Sequence, residues 1–481
     1  MQQILNLIKF ELRYAAKKPA TYIYALIWFS LGIIIFNTDA IRVSGGYGKV
    51  LSNAAFNIHF FIIVFSLLGV FFVQAIMAVP IFKDWQHKVD TFFYAYPLTK
   101  SEYFVGRFGG AFLVTCAIFL FIPIGLMAGE AYNLLFKPEL AEDFGPFNIM
   151  AYVQPTLTLM LPNIFIMSVL FYALVANTRK IMVAYVTAIS FLILYSIAQT
   201  FLSDLDNKQL ASLLDPFGIG ASSIITEYWT MSQKNNSVVP FEGMLLLNRI
   251  LWIGISILAF ALTQWRFQLQ SSPDGATKKK KIIADEAKVA ALPLPVVLPI
   301  FNSGTALAQW WALVKLETTL TFKNVFFVAL MFAIGIYMIT DAWQADEWFN
   351  TGIYPTTGQM LQTATGGLFG PLTFALFIFL AGDIVWREKG IGIDGIYDAF
   401  PIPTRVAFFA KLGAMLLIPV FLILLVPAVC IPIQLLKGYT NLELGLYAKT
   451  LLYFQLPDMW LTILLFFTIQ NVLNKIGRAH V

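Results

Sequence analysis

Two short charged stretches interrupt long apolar runs in this chain, and they spell related residues. The first, FKDWQHKVDTFFYAYPLTK (82–100), supplies Lys83, Asp84, Asp90 and Pro97. The second, VWREKGIGIDGIYDAFPIPTR (385–405), supplies Arg387, Glu388, Asp394 and Pro401. Such stretches between spans suit either a short stiff helix that receives a push from a soluble partner or an ordinary solvated hairpin, and no catalytic motif accompanies them. A nucleotide phosphate loop needs G-x4-G-K-[ST], so that backbone N–H groups and a lysine cradle the phosphates. The nearest candidate, GGYGKV at 45–50, lacks the first glycine and the hydroxyl residue. Zinc peptidase chemistry needs H-E-x-x-H, and the three histidines, His59, His87 and His480, do not form it. The two cysteines, Cys116 and Cys430, sit inside apolar runs and define no disulfide framework. No catalytic residue, cofactor or metal is expected from these residues.

The elements that position the charges are membrane spans. Of 481 residues, 59% are hydrophobic and 12% charged, against about 45–50% and about 25% in soluble domains. The mean hydropathy is +0.74. A net charge of +5 is too small to suggest a nucleic acid partner. Helices that cross a bilayer need roughly 17–25 mostly apolar residues. About ten such runs are expected, centred near residues 29, 70, 118, 166, 191, 255, 333, 375, 422 and 461. Basic residues gather on the side that holds Lys9, Arg13, Lys17, Lys18, Lys83, Lys88, Lys100, Arg107, Arg179, Lys180 and Lys278–Lys281. The positive-inside rule makes that side, and the N-terminus, cytoplasmic.

The stretch 271–300 has no apolar period, a lysine run and several prolines, so it reads as a cytoplasmic linker. It separates a first domain, 1–270, from a second, 301–475. The two match in order. Lys9, Glu11 and Lys17 are echoed by Lys315, Glu317 and Lys323, at an offset of 306. The charged loops repeat at an offset of 304, which also pairs Arg107 and Gly109 with Lys411 and Gly413. LPNIF at 161–165 returns as LPDMW at 456–460. Offsets that change only at loops are the trace of a duplicated domain, here a parallel repeat.

Asn6, Lys9, Arg13 and Lys17 fall on one side of a helical wheel and Ile4, Leu5, Ile8, Leu12 and Ala15 on the other, an amphipathic pattern suited to an interfacial helix. Glu11 falls on its apolar face, where an unpaired carboxylate is costly. Either a basic residue from a neighbouring helix compensates it or the helix tilts to let it reach water. Glu317, at the same place in the second domain, favours a partner. In each charged loop, proline disfavours helix in the residue before it, so Tyr96-Pro97 and Phe400-Pro401 should close short helices that begin near acidic residues.

At this point the chain resembles the type-2 ABC transporter permeases, whose six-span domains carry an interfacial helix and a coupling helix between spans two and three. The resemblance covers 1–270 and most of 300–475. It implies an all-α polytopic membrane protein with a duplicated six-span permease domain, the second copy truncated. It further implies transport, expected as export, across a bacterial inner membrane, with the two halves pairing within one chain. Separate P-loop ATPase subunits would contact Lys83, Asp84, Asp90 and Pro97, with Arg387, Glu388, Asp394 and Pro401. The last six residues, IGRAHV (476–481), match nothing in the first domain and equal one frame of a common sequencing adapter (ATC GGA AGA GCA CAC GTC). They are expected to be non-native, with two further spans, and an aminopeptidase like that of some long relatives, beyond the break. A membrane scaffold for such a peptidase is the alternative function. An ion-coupled transporter ranks last, because ionisable residues at mid-membrane are few.

Overall fold

The computed structural model describes residues 2–36, 50–87, 89, 92, 97–137, 142–179, 181–202, 208–268, 303–345, 347–348, 351–352, 354–367, 369–400 and 402–472. The expected linker, the expected non-native tail, Asp90 and Pro401 lie outside the described residues. The chain divides into two compact units, Met1–Thr277 and Lys278–Val481.

The first unit opens with α1 (Gln2–Ala16) and α2 (Pro19–Ile35), which meet at 74°. Pro19 suits the first turn of α2, where its missing N–H costs nothing. The next span is broken into α3 (Ala55–Leu68), α4 (Val70–Met77) and α5 (Val79–Gln86), with a 47° bend. A Thr99–Glu102 capping box starts α6 (Lys100–Phe119), which runs on through α7 (Phe121–Phe136). Then come α8 (Ile149–Pro155) and α9 (Leu161–Thr178), joined by a π-helical turn over Thr156–Met160. Pro162 explains that turn: its ring and absent N–H disrupt the regular ladder one turn back, and the wider turn absorbs the mismatch. The unit closes with α10 (Met182–Leu202), the short α11 (Lys208–Leu214), α12 (Ile219–Thr226) and α13 (Met231–Asn236), and the long α14 (Gly243–Arg266).

The second unit holds α15 (Ser303–Phe322), α16 (Val325–Trp343), α17 (Thr357–Thr365), α18 (Phe369–Ile391), α19 (Asp394–Asp398) and α20 (Thr404–Leu436). It ends with α21 (Leu444–Lys449), a π-helical turn at Thr450–Gln455 and α22 (Leu456–Val472). Pro457 stands after this turn as Pro162 stands after the first. A two-residue antiparallel ladder, Glu347–Trp348 with Thr351–Gly352, is the one strand pairing among the described residues.

Among the described residues, seven helices are long and apolar enough to cross a membrane, or nine if each bent pair is one span. The protein is therefore a helical, multi-pass membrane protein. The tenth expected span, near residue 191, lies in α10, whose apolar stretch Val183–Ser196 is shorter than the rest. The continuous α6–α7 helix has 37 residues, about 55 Å at 1.5 Å per residue. The hydrocarbon core is about 30 Å thick, so one or both ends of this helix stand clear of it.

Small residues bring the first unit's helices together, as in other membrane bundles. A side chain at Gly125 of α7 would start 2.4 Å from the carbonyl oxygen of Phe29 on α2. Around the buried Trp28 pack Phe65, Phe72 and Phe119, with ring centroids 5.0–6.0 Å away. Gly125→Leu should therefore destabilise the purified protein by about 1–3 kcal/mol through overpacking. Gly254→Leu, at a position where a Cβ would meet nothing within 4 Å, should leave the thermal midpoint in detergent unchanged.

Candidate functional site

The charged residues converge where α1, α5 and α6 meet. Glu11, on α1, is buried, with 4% of its surface exposed. Lys83 Nζ, in the last turn of α5, donates to its two carboxylate oxygens at 2.9 and 2.8 Å. Arg107 of α6 donates Nη1 to Glu11 Oε1 and Nη2 to Asp84 Oδ2, the latter at 2.6 Å. The Tyr103 hydroxyl, one turn back on α6, donates to the same Asp84 oxygen at 2.6 Å. Aromatic faces of α1 cover the cations: Lys83 lies 4.2 Å from the Tyr14 ring centre and the Arg107 guanidinium 5.2 Å from that of Phe10. Two acids and two bases thus form one neutral, buried network.

Glycines allow the approach. A side chain at Gly110 would start 2.5 Å from Glu11 Cβ, and one at Gly106 would meet Leu7 at 2.8 Å. Of the two readings of Glu11, the structure contains the basic partner.

The second unit builds the same contacts from different residues. Arg387 Nη1, on α18, pairs with Glu317 Oε2 of α15 at 2.6 Å. Lys411 Nζ, on α20, pairs with Glu388 Oε2 of α18 at 2.6 Å. Arg387 also pairs with Asp383 at 2.6 Å. Burial pushes the Glu317 carboxyl above its ordinary value, against the pull of the Arg387 and Lys411 charges. The glycine at the crossing recurs as well: Gly109 faces Ile8 and Gly413 faces Val314 and Trp310.

The structure places four of the charged residues at helix ends. Lys83, Asp84, Arg387 and Glu388 do not stand in exposed loops. They occupy the last turns of α5 and α18 and point inward, because each must satisfy a buried opposite charge. Among the described residues, apolar side chains face outward too. Phe92 is 78% and Ile396 67% exposed, and the offset of 304 that links the two loops also links these positions. Neither is singled out by charge or by motif, although an apolar residue repeated inside two polar loops is itself a signal. Asp394 begins α19, a helix of five residues that ends before Phe400. Pro97 stands exposed two residues before the Thr99 cap of α6. No described group of three or more His, Cys, Asp or Glu is placed to hold a metal ion.

Removing one member of a buried ion pair costs roughly 3–5 kcal/mol, because the other charge stays buried. Arg107→Met should therefore lower the stability of the full chain in detergent by that order. Glu388→Lys combined with Lys411→Glu should recover most of what either change alone loses, as a double-mutant cycle by thermal unfolding would read out.

Against known proteins the geometry stands alone: no family model matches the chain, and no curated protein or solved structure matches it.

Proposed function

We propose that the chain is the membrane-spanning permease part of an ATP-driven transporter, an exporter of the type-2 ABC kind, built from a duplicated domain. In this reading α1 and α15 lie in the cytoplasmic interface of a bacterial inner membrane. The loops after α5 and α18 receive force from separate P-loop ATPase subunits, and the two halves pair around the substrate path.

The observation that carries the reading is the register of the buried ion pairs. Glu11–Lys83 corresponds to Glu317–Arg387, and Asp84–Arg107 to Glu388–Lys411. Element ends agree with this register. At an offset of 306, Ala16 and Pro19 fall on Phe322 and Val325, where α15 ends and α16 begins. Both π-helical turns precede the repeated Leu-Pro. Each network joins a leading helix to the two spans that flank a loop, so a push on the loop would move all three elements together. The exposed Phe92 and Ile396 give each loop an apolar contact, of the kind that anchors interfaces.

Crosslinking tests this. Single cysteines at Phe92 and at Ile396 go into the full chain, with Cys116 and Cys430 replaced by serine, co-expressed with the P-loop ATPase encoded beside the gene. Crosslinks from both positions, changed in yield by ATP, are expected. No crosslink from either position, with both proteins present in the membrane, would overturn the reading.

A further inference from the structure

The exposed faces of α1 and α15 repeat as closely as their buried ones. Lys9 and Arg13 of α1, and Lys17 directly after it, are exposed and follow one another a turn apart along one side. At the offset of 306 they fall on Lys315, Thr319 and Lys323, exposed in the same order on α15 and directly after it. Apolar side chains flank the row at matched places. Leu5 is 55% and its counterpart Trp311 59% exposed, and on the other flank Tyr14 and its counterpart Leu320 are exposed as well. Among the described residues no carboxylate pairs with any of these cations.

Packing within each unit does not account for this pattern. Like charges four residues apart on a helix repel each other, and an exposed leucine or tryptophan gains nothing in water. Glu11 and Glu317 are buried on the packed side, so they leave the row without a counter-charge. The first helix turns 74° away from α2, which lays it near the plane of the interface when α2 stands across the bilayer. In that plane both features are satisfied. Apolar flanks enter the boundary between headgroups and acyl chains, and long cationic side chains reach the phosphates. Tryptophan settles at headgroup level.

We infer that the cationic rows of α1 and α15 bind the phosphodiester headgroups of anionic phospholipids. The inference rests on the placement of both helices in the cytoplasmic interface proposed above, and not on ATP-driven transport. Charge complementarity selects the headgroup, and the apolar flanks select its source. An acidic protein surface would match the row but leave Leu5 and Trp311 in water, whereas a bilayer covers them. A headgroup on the first row holds against the membrane the same helix that carries Glu11 into its buried network.

The full chain is placed in vesicles doped with photoactivatable phosphatidylglycerol or photoactivatable phosphatidylcholine, and lipid adducts on the peptides of α1 and α15 are counted by mass spectrometry. Phosphatidylglycerol should label both helices in preference to phosphatidylcholine, and the preference should fall as salt rises. K9Q/R13Q/K17Q should lower phosphatidylglycerol adducts on α1 by about fivefold for each cation lost, at low salt, and leave α15 as before. K315Q/K323Q should do the converse. K9R/K17R, which keeps the charge, should keep the preference, and the thermal midpoint in detergent of each variant should match that of the unmodified protein. Equal labelling by the two lipids, or a preference that survives K9Q/R13Q/K17Q or high salt, overturns the inference. So does loss of the preference to inorganic phosphate at an ionic strength matched with chloride, which makes free phosphate the ligand. Loss of the ATPase crosslink from Phe92 in K9Q/R13Q/K17Q, with lipid adducts unchanged, overturns it in favour of an acidic protein surface. In the unmodified rows, crosslinks from Phe92 and Ile396 that persist beside equal lipid labelling leave the transporter reading standing.

Discussion

A carboxylate on the apolar face of the first helix has to be compensated, and the cytoplasm-side architecture proposed for each unit follows from how that is done. Withdrawing an ion from water costs several kcal/mol even after relaxation, and only close, well-aligned opposite charges repay it. Glu11 therefore fixes the rotation of α1, because its two cations come from different elements: Lys83 from the end of α5 and Arg107 from α6. The glycines at 106 and 110 let the backbones come near enough for those bonds to form. Slide α1 by a residue and the acid loses both partners at once.

The second unit shows which properties of the network matter. Reading Glu11, Lys83, Asp84 and Arg107 against Glu317, Arg387, Glu388 and Lys411, the sign at every position is kept while three of the four identities change. Coulomb energy depends on charge and distance, so a lysine can stand for an arginine if its reach and direction suffice. The exchange is not neutral in detail. Arg107 has two donor arms and bridges both acids, whereas Lys411 holds Glu388 alone and Arg387 turns its second arm to Asp383. The first unit's network is consequently a single cluster, and the second unit's is a triad, Glu317–Arg387–Asp383, beside a pair, Glu388–Lys411.

A further consequence concerns what the charged loops present to their surroundings. Lys83, Asp84, Arg387 and Glu388 are directed inward by the buried pairs, while among the described residues Phe92 and Ile396 stand exposed.

Much of the fold was legible in sequence because the solvent imposes it. Backbone groups in a bilayer must bond within their own segment, so long apolar runs have to be helices, and nine of the ten expected runs, counting the bent pairs, are helices of spanning length. The repeated Leu-Pro and the spacing of Glu11 and Glu317 were likewise readable, since composition and order carry them. Pairing was not. Which cation meets Glu11 depends on α1 crossing α6 at its glycines, a contact between residues about a hundred positions apart that no local period encodes. The inward turn of Lys83, Asp84, Arg387 and Glu388 escaped for the same reason: a charged residue beside a loop looks solvated until the helix that covers it is in place. The sequence alone determined the spans and where the charges stand along them; packing decided which charges meet, because burial and pair distance exist only once the helices have come together.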